Sequence, residues 1–348
     1  KDPTRRLRDI GDARLELDAR GDVAASGAVA PAGRRQGRFI WIAAVIVLAL
    51  VALALGTRAL RPAPALPTVR VEINTPPVSQ PEDLMSIALS PDGRLLAFVA
   101  DVDGQPNLWV RRFDTGEARP LTGTAGATQP FWSPDSRTVA FYADQRLKRI
   151  DLDGGLVRTL TQAFWGGGAW NRDGVILFAA SPASPILRIS ASSGGAATAV
   201  TRLEKTHASH SFPRFLPDGR HFLYYVNADA EARGVWLGQL DGSPARRLFD
   251  ADSATAYTSG HIFFLRQKTV FAHAFDAERL ELTGTPFPVE QGAMAAIFNF
   301  GPAALSVSEG GAIAFRIGSA SSDRQFVWVD RSGNEIRKVG NPDNWTSP

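Results

Sequence analysis

Two histidines three residues apart are the first candidates for chemistry in this chain. His207 and His210 form an H-x-x-H pattern ahead of the aromatic segment 212–215. Zinc sites in proteins usually have three or four ligands, often including cysteine, and this sequence contains no cysteine. Two imidazoles alone are a poor ligand set. The better interpretation is a histidine that hydrogen-bonds the backbone at a strand edge, so we predict no metal site here.

Four aspartates recur at equivalent places in the sequence and could act as acid/base groups or as Ca²⁺ ligands. Each one lies within a short turn motif that returns along the chain. Because the motif returns with its flanking residues, the carboxylates are better explained by turn formation, in which Asp accepts hydrogen bonds from nearby backbone. The four residues are Asp92, Asp135, Asp173 and Asp218.

A run of aromatic residues and glycines at 164–170 (FWGGGAW) could line an opening for a ligand. The alternative interpretation is a close-packed inner strand. The chain has no Gly-x-Ser-x-Gly nucleophile elbow, so a serine hydrolase centre is excluded within it. We therefore predict no catalytic, cofactor-binding or metal-binding residues in this chain.

The elements that would position these residues are repeated. The turn SPDG at 90–93 returns as SPDS at 133–136, NRDG at 171–174 and LPDG at 216–219. The interval is about 40 residues, which suits the four-stranded blades of a propeller. Proline presets the first turn position and glycine accepts a positive φ, so each turn can join two antiparallel strands.

An apolar strand is predicted after each turn, and most units add a second, aromatic strand and a third, arginine-containing strand. Six units can be traced, the last two only loosely. The first strands are 95–100, 138–143, 175–180, 221–226, 261–265 and 312–316; the second strands are 107–114, 146–153, 186–190, 235–241 and 326–330; the third strands are 119–122, 158–161 and 246–249.

The composition favours a mainly β fold beyond about residue 66. The chain of 348 residues has 44% apolar residues, enough for a sizeable core. Its 32 glycines, 23 prolines, 20 phenylalanines and 8 tryptophans are typical of many short strands joined by turns.

The turn-and-strand pattern resembles the PD40, or WD40-like, repeat of the TolB type. The residues that carry this resemblance are 89–94 (LSPDGR) followed by 96–98 (LAF). The resemblance covers 83–348 and implies a β-propeller. Because the sequence stops at Pro348 in the middle of the pattern, we predict that this propeller is incomplete at its C-terminus. The Pro-Asp pair is absent from the later turns at 258–260 and 308–310.

The segment 39–56 (FIWIAAVIVLALVALALG) has no charged residue and predicts a single transmembrane α-helix. It would be about 27 Å long, close to the thickness of a bilayer core. A signal peptide cleaved near 63–65 and a buried core helix are the alternatives. Residues 57–82, rich in proline, are predicted to form a stiff stalk.

The basic excess of the chain lies at its N-terminus. Residues 1–38 contain nine Lys/Arg and six Asp/Glu, and the remainder is balanced. The positive-inside rule therefore places the N-terminus in the cytoplasm and the propeller outside a plasma or inner membrane, in the periplasm. The balanced remainder offers no basic surface for phosphate backbones, so we predict no nucleic-acid partner.

Residues 1–20 resemble the C-terminal end of a Ser/Thr protein kinase domain. Asp2-Pro3-x-x-Arg6 matches the pattern before the last kinase helix, and Arg6 matches the structural arginine of that family; Asp12 is a plausible N-cap for the helix that follows. With the linker 21–38, the span and the propeller, this order resembles bacterial receptor-like Ser/Thr kinases. ATP and Mg²⁺ are implied only for a kinase domain ahead of Lys1, because no kinase catalytic motif occurs in the chain.

The leading hypothesis is therefore a membrane-anchored fragment of a receptor-like kinase. Its propeller would sense a small ligand or bind a protein, and two copies could pair through the transmembrane helix. A transmembrane transcription regulator with a DNA-binding domain in place of the kinase is the second hypothesis. A TolB-like propeller with a structural or transport-associated role is the third.

Overall fold

The structure is a computed structural model. It describes residues 34–59, 70–76, 78, 86–267, 269–293, 303–317, 324–329 and 335–343. The chain divides into two compact units, Lys1–Ile73 and Asn74–Pro348.

The described part of the first unit consists of a helix, α1 (Arg34–Ala59), and the irregular residues 70–73. The side chains of residues 41–53 are described, and all of them are exposed. No helix within the described residues is both long enough and apolar enough to cross a membrane. The transmembrane span predicted at 39–56 is therefore not confirmed.

The helix extends beyond the predicted span at both of its ends. Residues 34–38 were expected in the linker and residues 57–59 in the stalk, yet both stretches are helical. Arginine, glutamine and alanine are good helix formers, so the helix continues into its charged flanks. The predicted kinase end at 1–20 lies outside the described residues, as do residues 21–33 of the linker and residues 60–69, 77 and 79–82 of the stalk.

The second unit contains five four-stranded antiparallel sheets, each formed by strands that are consecutive in sequence. We number them as blades 1 to 5. Blade 1 comprises β1 (Ile87–Leu89), β2 (Leu95–Val102), β3 (Gln105–Arg112) and β4 (Ala118–Pro120); blade 2 comprises β5 (Thr128–Trp132), β6 (Thr138–Ala143), β7 (Arg146–Asp151) and β8 (Arg158–Gln162). Blade 3 comprises β9 (Gly168–Trp170), β10 (Val175–Ala179), β11 (Ile186–Ser190) and β12 (Gly194–Ala199).

The remaining strands complete blades 4 and 5 and add two hairpins. Blade 4 comprises β13 (His207–Phe215), β14 (His221–Ala228), β15 (Gly234–Gln239) and β16 (Arg246–Phe249); blade 5 comprises β17 (Ala256–Thr258), β18 (His261–Arg266), β19 (Thr269–Asp276) and β20 (Glu281–Gln291). The two-stranded sheets are β21 (Leu305–Val307) with β22 (Ile313–Phe315), and β23 (Arg324–Val329) with β24 (Glu335–Asp343).

The core of the propeller lies between successive blades. One cluster joins apolar side chains of blades 1 and 2, including Leu108 and Phe141, and similar clusters join the following pairs. A last cluster joins blade 5 to the β21–β22 hairpin. Each sheet is therefore apolar on both faces and needs neighbours on both sides, which explains the continuous apolar runs of β6 and β14.

The β21–β22 hairpin closes the ring. Strand β21 contacts both β1 and β17, the inner strands of blades 1 and 5. The amide of Leu89 donates a buried hydrogen bond of 2.8 Å to the hydroxyl of Ser306, and Glu309 N donates to Pro91 O at 3.0 Å. Five complete blades and this hairpin thus surround a central channel.

Candidate functional site

A small cavity of about 30 Å³ lies between the inner strands that surround the channel. All five blades and the β21–β22 hairpin contribute to its wall. The lining side chains and backbone come from Ser86, Ile87, Gln129, Pro130, Gly167, Gly168, Phe212, Arg214, Ala254, Thr255, Ala303 and Leu305. This convergence of every unit on one point makes the cavity the candidate functional site.

Gln129 links three blades at the wall of the cavity. Its side-chain Oε1 accepts hydrogen bonds from the amides of Gly166 (3.1 Å) and Gly167 (2.8 Å) in blade 3. Its backbone amide donates to the hydroxyl of Ser86 in blade 1 at 3.0 Å. Gln129 adopts a left-handed conformation with φ 49°, at a register shift between β5 and β6. The bulge turns the residue from strand pairing toward its neighbouring blades.

Blade 4 is distorted at the equivalent place. Phe212 has φ 53° within a register shift between β13 and β14, and its amide donates to the carbonyl of Gly166. Trp165 packs edge-on against the Phe212 ring with centroids 5.0 Å apart. Hydrogen bonds therefore connect blades 1, 2, 3 and 4 in sequence around the cavity.

The glycine run at 164–170 has features of both interpretations offered from the sequence, a ligand opening and a close-packed inner strand. Gly167 and Gly168 line the cavity, and they are also tightly packed. A Cβ at Gly167 would lie 2.6 Å from the Phe212 ring, and one at Gly168 would overlap the ring of Phe131. The end of the run, 168–170, is the inner strand β9, and the buried backbone of Gly167 and Gly168 faces the cavity where no side chain fits.

Arg214 supplies the positive charge of the cavity. Its Nη1 donates to the carbonyl of Gly168 at 2.9 Å. No carboxylate of the described residues forms an ion pair with it. Burial lowers the pKa of the Arg214 guanidinium, but an arginine in a protein remains protonated. The cavity therefore contains an unneutralised cation.

The recurrent turns lie at the opposite end of the inner strands, away from the cavity. In the first turn, Asp92 Oδ1 accepts hydrogen bonds from Ser90 Oγ at 2.6 Å and from the Arg94 amide at 3.0 Å. Asp135 accepts the same pair of bonds from its own turn. The predicted turn role is confirmed for these two aspartates, and hydrogen bonds from the turn hold the pKa of Asp135 below its usual value.

The other two turns vary this arrangement. Asp218 accepts bonds from the amides of Arg220 and His221 and from the His221 ring. In the third turn the capping role passes to Asn171, whose Oδ1 accepts bonds from the Asp173 and Val175 amides. Asp173 is therefore not the capping side chain of its turn, which corrects the prediction for that residue.

His207 and His210 form a buried pair at the junction of blades 3 and 4. His207 Nδ1 and His210 Nε2 are 2.9 Å apart, and His210 Nδ1 lies 2.8 Å from the hydroxyl of Thr201. The rings bond to each other and to a threonine, so the expected bond from a ring to strand-edge backbone was wrong. Burial, with His207 nearby, lowers the pKa of His210 to about 3.

Among the residues that the structure describes, no group of three His, Cys, Asp or Glu side chains is placed to hold a metal ion. The cavity itself was missed by the sequence reasoning. Its wall is formed by inner strands of three residues or by bulged strands, which have no strong apolar period. The only available signal was the glycine run, whose partners Gln129 and Arg214 lie in other blades.

No family model matches the chain. Among curated proteins, it is 31% identical over 148 residues to the uncharacterized peptidase YuxL of Bacillus subtilis, an alignment that covers 40% of this chain and 21% of the relative. It is 33% identical over 85 residues to the TolB homolog of Chlorobaculum tepidum, covering 23% of this chain and 19% of the relative. The chain thus spans about a fifth of these relatives' length.

Solved structures with a similar fold include TolB from Acinetobacter baumannii, with 16% identity, a TM-score of 0.48 and coverage of 59% of this chain and 54% of that chain. An oligogalacturonate lyase in complex with manganese has 17% identity, a TM-score of 0.45 and coverage of 74% and 76%. The fold rests on the sheet topology of the chain itself. In the part of the chain that the structure describes, it is a β-propeller with five four-stranded blades.

Proposed function

We propose that this chain is the membrane-anchored, signal-receiving part of a receptor-like Ser/Thr kinase, with the propeller outside the membrane as its sensor. The observation that carries the proposal is α1. Every described side chain from 41 to 53 is exposed, including Trp41 (75%) and Leu48 (68%). A helix that is apolar on all sides is disfavoured in water and favours lipid or a protein interior.

The kinase part of the proposal depends on the sequence before α1. The Asp2-Pro3-x-x-Arg6 pattern and the basic residues ahead of the helix support a cytoplasmic kinase end. The propeller supports a receiving role, because it offers a lined cavity with an unneutralised arginine and, within the described residues, no cluster able to hold a metal ion. A single helix would transmit the signal most simply by a change in association between two chains.

A pair of reporter fusions tests the membrane part of the proposal. Alkaline phosphatase, which folds only outside the cytoplasm, and green fluorescent protein, which is dark when exported through the general secretion route, are each joined after Pro348. We expect an active phosphatase and a dark fluorescent protein. The matched control carries Ile46→Arg and Leu50→Arg, which make the apolar helix costly to insert and should reverse both signals. A fluorescent fusion of the unsubstituted chain would exclude an extracytoplasmic propeller.

A TolB-like propeller with a structural or transport-associated role remains the second candidate. The similarity to the TolB homolog of Chlorobaculum tepidum favours it. The coding sequence ahead of Lys1 separates the two candidates. A glycine-rich phosphate loop and a His-Arg-Asp catalytic loop would support the kinase, whereas a secretory leader directly before this chain would support the second candidate.

A further inference from the structure

We propose that the channel cavity binds a single carboxylate group, held by Arg214 and Gln129, while the rest of the ligand stays at the mouth of the channel. The inference rests on the proposed function in one respect: the bound carboxylate would be the signal that the sensor receives. It is carried by the charge, the hydrogen-bonding capacity, the size and the backbone conformation of the cavity.

The charge of the cavity requires an anion. The Arg214 guanidinium has five N–H donors, and one nitrogen, Nη1, bonds the carbonyl of Gly168. Arg214 lines the cavity, and no hydrogen bond from its other nitrogens is found among the described residues. A charged group removed from bulk water without a counter-ion is costly, and a bound anion would relieve that cost.

The neighbouring polar side chains add donors rather than acceptors. Gln129 Oε1 is already occupied by two glycine amides, which leaves its NH₂ group free to donate. The hydroxyl oxygen of Ser86 accepts a hydrogen bond from the backbone amide of Gln129. The hydroxyl hydrogen of Ser86 has no acceptor among the described residues. A carboxylate has two oxygens that accept only, so it complements this set, whereas a cation would meet donors and a positive charge.

The size of the cavity restricts what can enter. A volume of about 30 Å³ is enough for one or two water molecules or one carboxylate, while typical small-molecule pockets are about 300–1,000 Å³. Ile87, Pro130 and Leu305 form an apolar part of the wall. The site therefore suits a carboxylate on a slender apolar stem better than a bulky acid.

The backbone of the cavity is held in a costly conformation. Gln129 (φ 49°) and Phe212 (φ 53°) are both left-handed without being glycine. Each such residue costs about 1–2 kcal/mol, and strained residues of this kind concentrate at functional sites. Gln129 lines the cavity in this conformation, and its hydrogen bonds to Ser86 and Gly167 hold it there. The binding groups are thus fixed before a ligand arrives.

Calorimetric titration of the whole chain with sodium acetate, against sodium chloride at equal ionic strength and about neutral pH, tests the site. We expect saturable acetate binding in the millimolar range, since four heavy atoms limit the affinity. Arg214→Gln should weaken it about 10- to 100-fold, as expected for a lost charged hydrogen bond, and Arg214→Lys should weaken it less. Arg119→Gln is the control, because the Arg119 side chain is exposed and, in the part of the chain that the structure describes, hydrogen-bonds the Leu152 carbonyl, away from the cavity.

Size and source are tested with further probes on the unsubstituted chain, so the result does not depend on a variant that folds. Propionate should bind and pivalate should not. Acetyl-triglycine and its amide distinguish the source of the carboxylate: tighter binding of the peptide acid than of acetate indicates a peptide terminus, and exclusion of the peptide acid indicates a small acid. Equal heats for acetate and chloride, or equal acetate affinity in Arg214→Gln, would overturn the proposal. Neither outcome would alter the reporter fusions, so the two proposals fail separately.

Discussion

Replacement of His210 should change how the stability of the propeller depends on pH. His210 is 1% exposed, and both of its ring nitrogens are hydrogen-bonded, one to Thr201 and one to His207. Burial first, and the nearby His207 second, lower the pKa of His210 to about 3. The ring is therefore neutral in the folded protein over the whole range in which an ordinary histidine titrates.

The sign and the size of the effect follow from this shift. The unfolded chain binds a proton at His210 below about pH 6.5, and the folded chain does not until about pH 3, so acid favours unfolding in this interval. About pH 4.5 is roughly two pH units below the pKa of histidine in the unfolded chain. Protonation of His210 there stabilises the unfolded state by about 2–3 kcal/mol. The contribution is fully present above about pH 6.5 and is lost progressively as the pH falls toward 3.

Urea unfolding at about pH 8 and about pH 4.5 measures this contribution. The unsubstituted chain should lose about 2–3 kcal/mol more of its unfolding free energy over this interval than His210→Gln, whose amide does not titrate. His273→Gln is the control, since His273 is partly exposed and, among the described residues, its ring hydrogen-bonds the Gly284 carbonyl. Parallel losses in the unsubstituted chain and in His210→Gln would refute the assignment of a buried, neutral imidazole.

Three other substitutions test the packing and closure of the ring, each by urea unfolding. Gly168→Ala should cost about 1–3 kcal/mol or more, because its Cβ would overlap a buried phenylalanine ring. Gly104→Ala, which has open space around it, should cost only about 1–2 kcal/mol of backbone strain. Equal losses of unfolding free energy in the two variants would contradict this packing. Ser306→Ala should cost about 1–3 kcal/mol, since a buried amide of blade 1 loses its acceptor, and an unchanged midpoint would contradict closure by the β21–β22 hairpin. Arg172→Ala should change stability by less than about 1 kcal/mol although Arg172 pairs with Glu309 at 2.8 Å, because both side chains are exposed; a larger loss would mean that this pair helps to close the ring.

The outer parts of the blades could be predicted from the sequence. The predicted strand at 138–143 coincides with β6, and the strands at 186–190 and 246–249 coincide with β11 and β16. These strands are apolar runs or alternate in polarity, and they follow a turn whose residues have strong conformational preferences. Local sequence was therefore sufficient to place them.

The inner strands and the cavity could not be predicted in the same way. Strands β1, β9 and β17 have three residues each, and β9 is partly glycine, so none of the three has a measurable period of apolar residues. The left-handed conformations of Gln129 and Phe212 arise from hydrogen bonds to other blades, and neither residue type favours them locally. Strands β19 and β20 of blade 5 were not predicted, because no recognisable turn motif precedes them.

Phosphorylation of the full-length protein in native membranes tests the central claim most directly. The intact protein is compared with a version that lacks residues 74–348, in cells grown under conditions that do and do not induce the kinase. If the propeller is the sensor, the intact protein should change its autophosphorylation between the two conditions, and the shortened protein should not. Equal autophosphorylation of both proteins under both conditions would contradict a sensing role for the propeller.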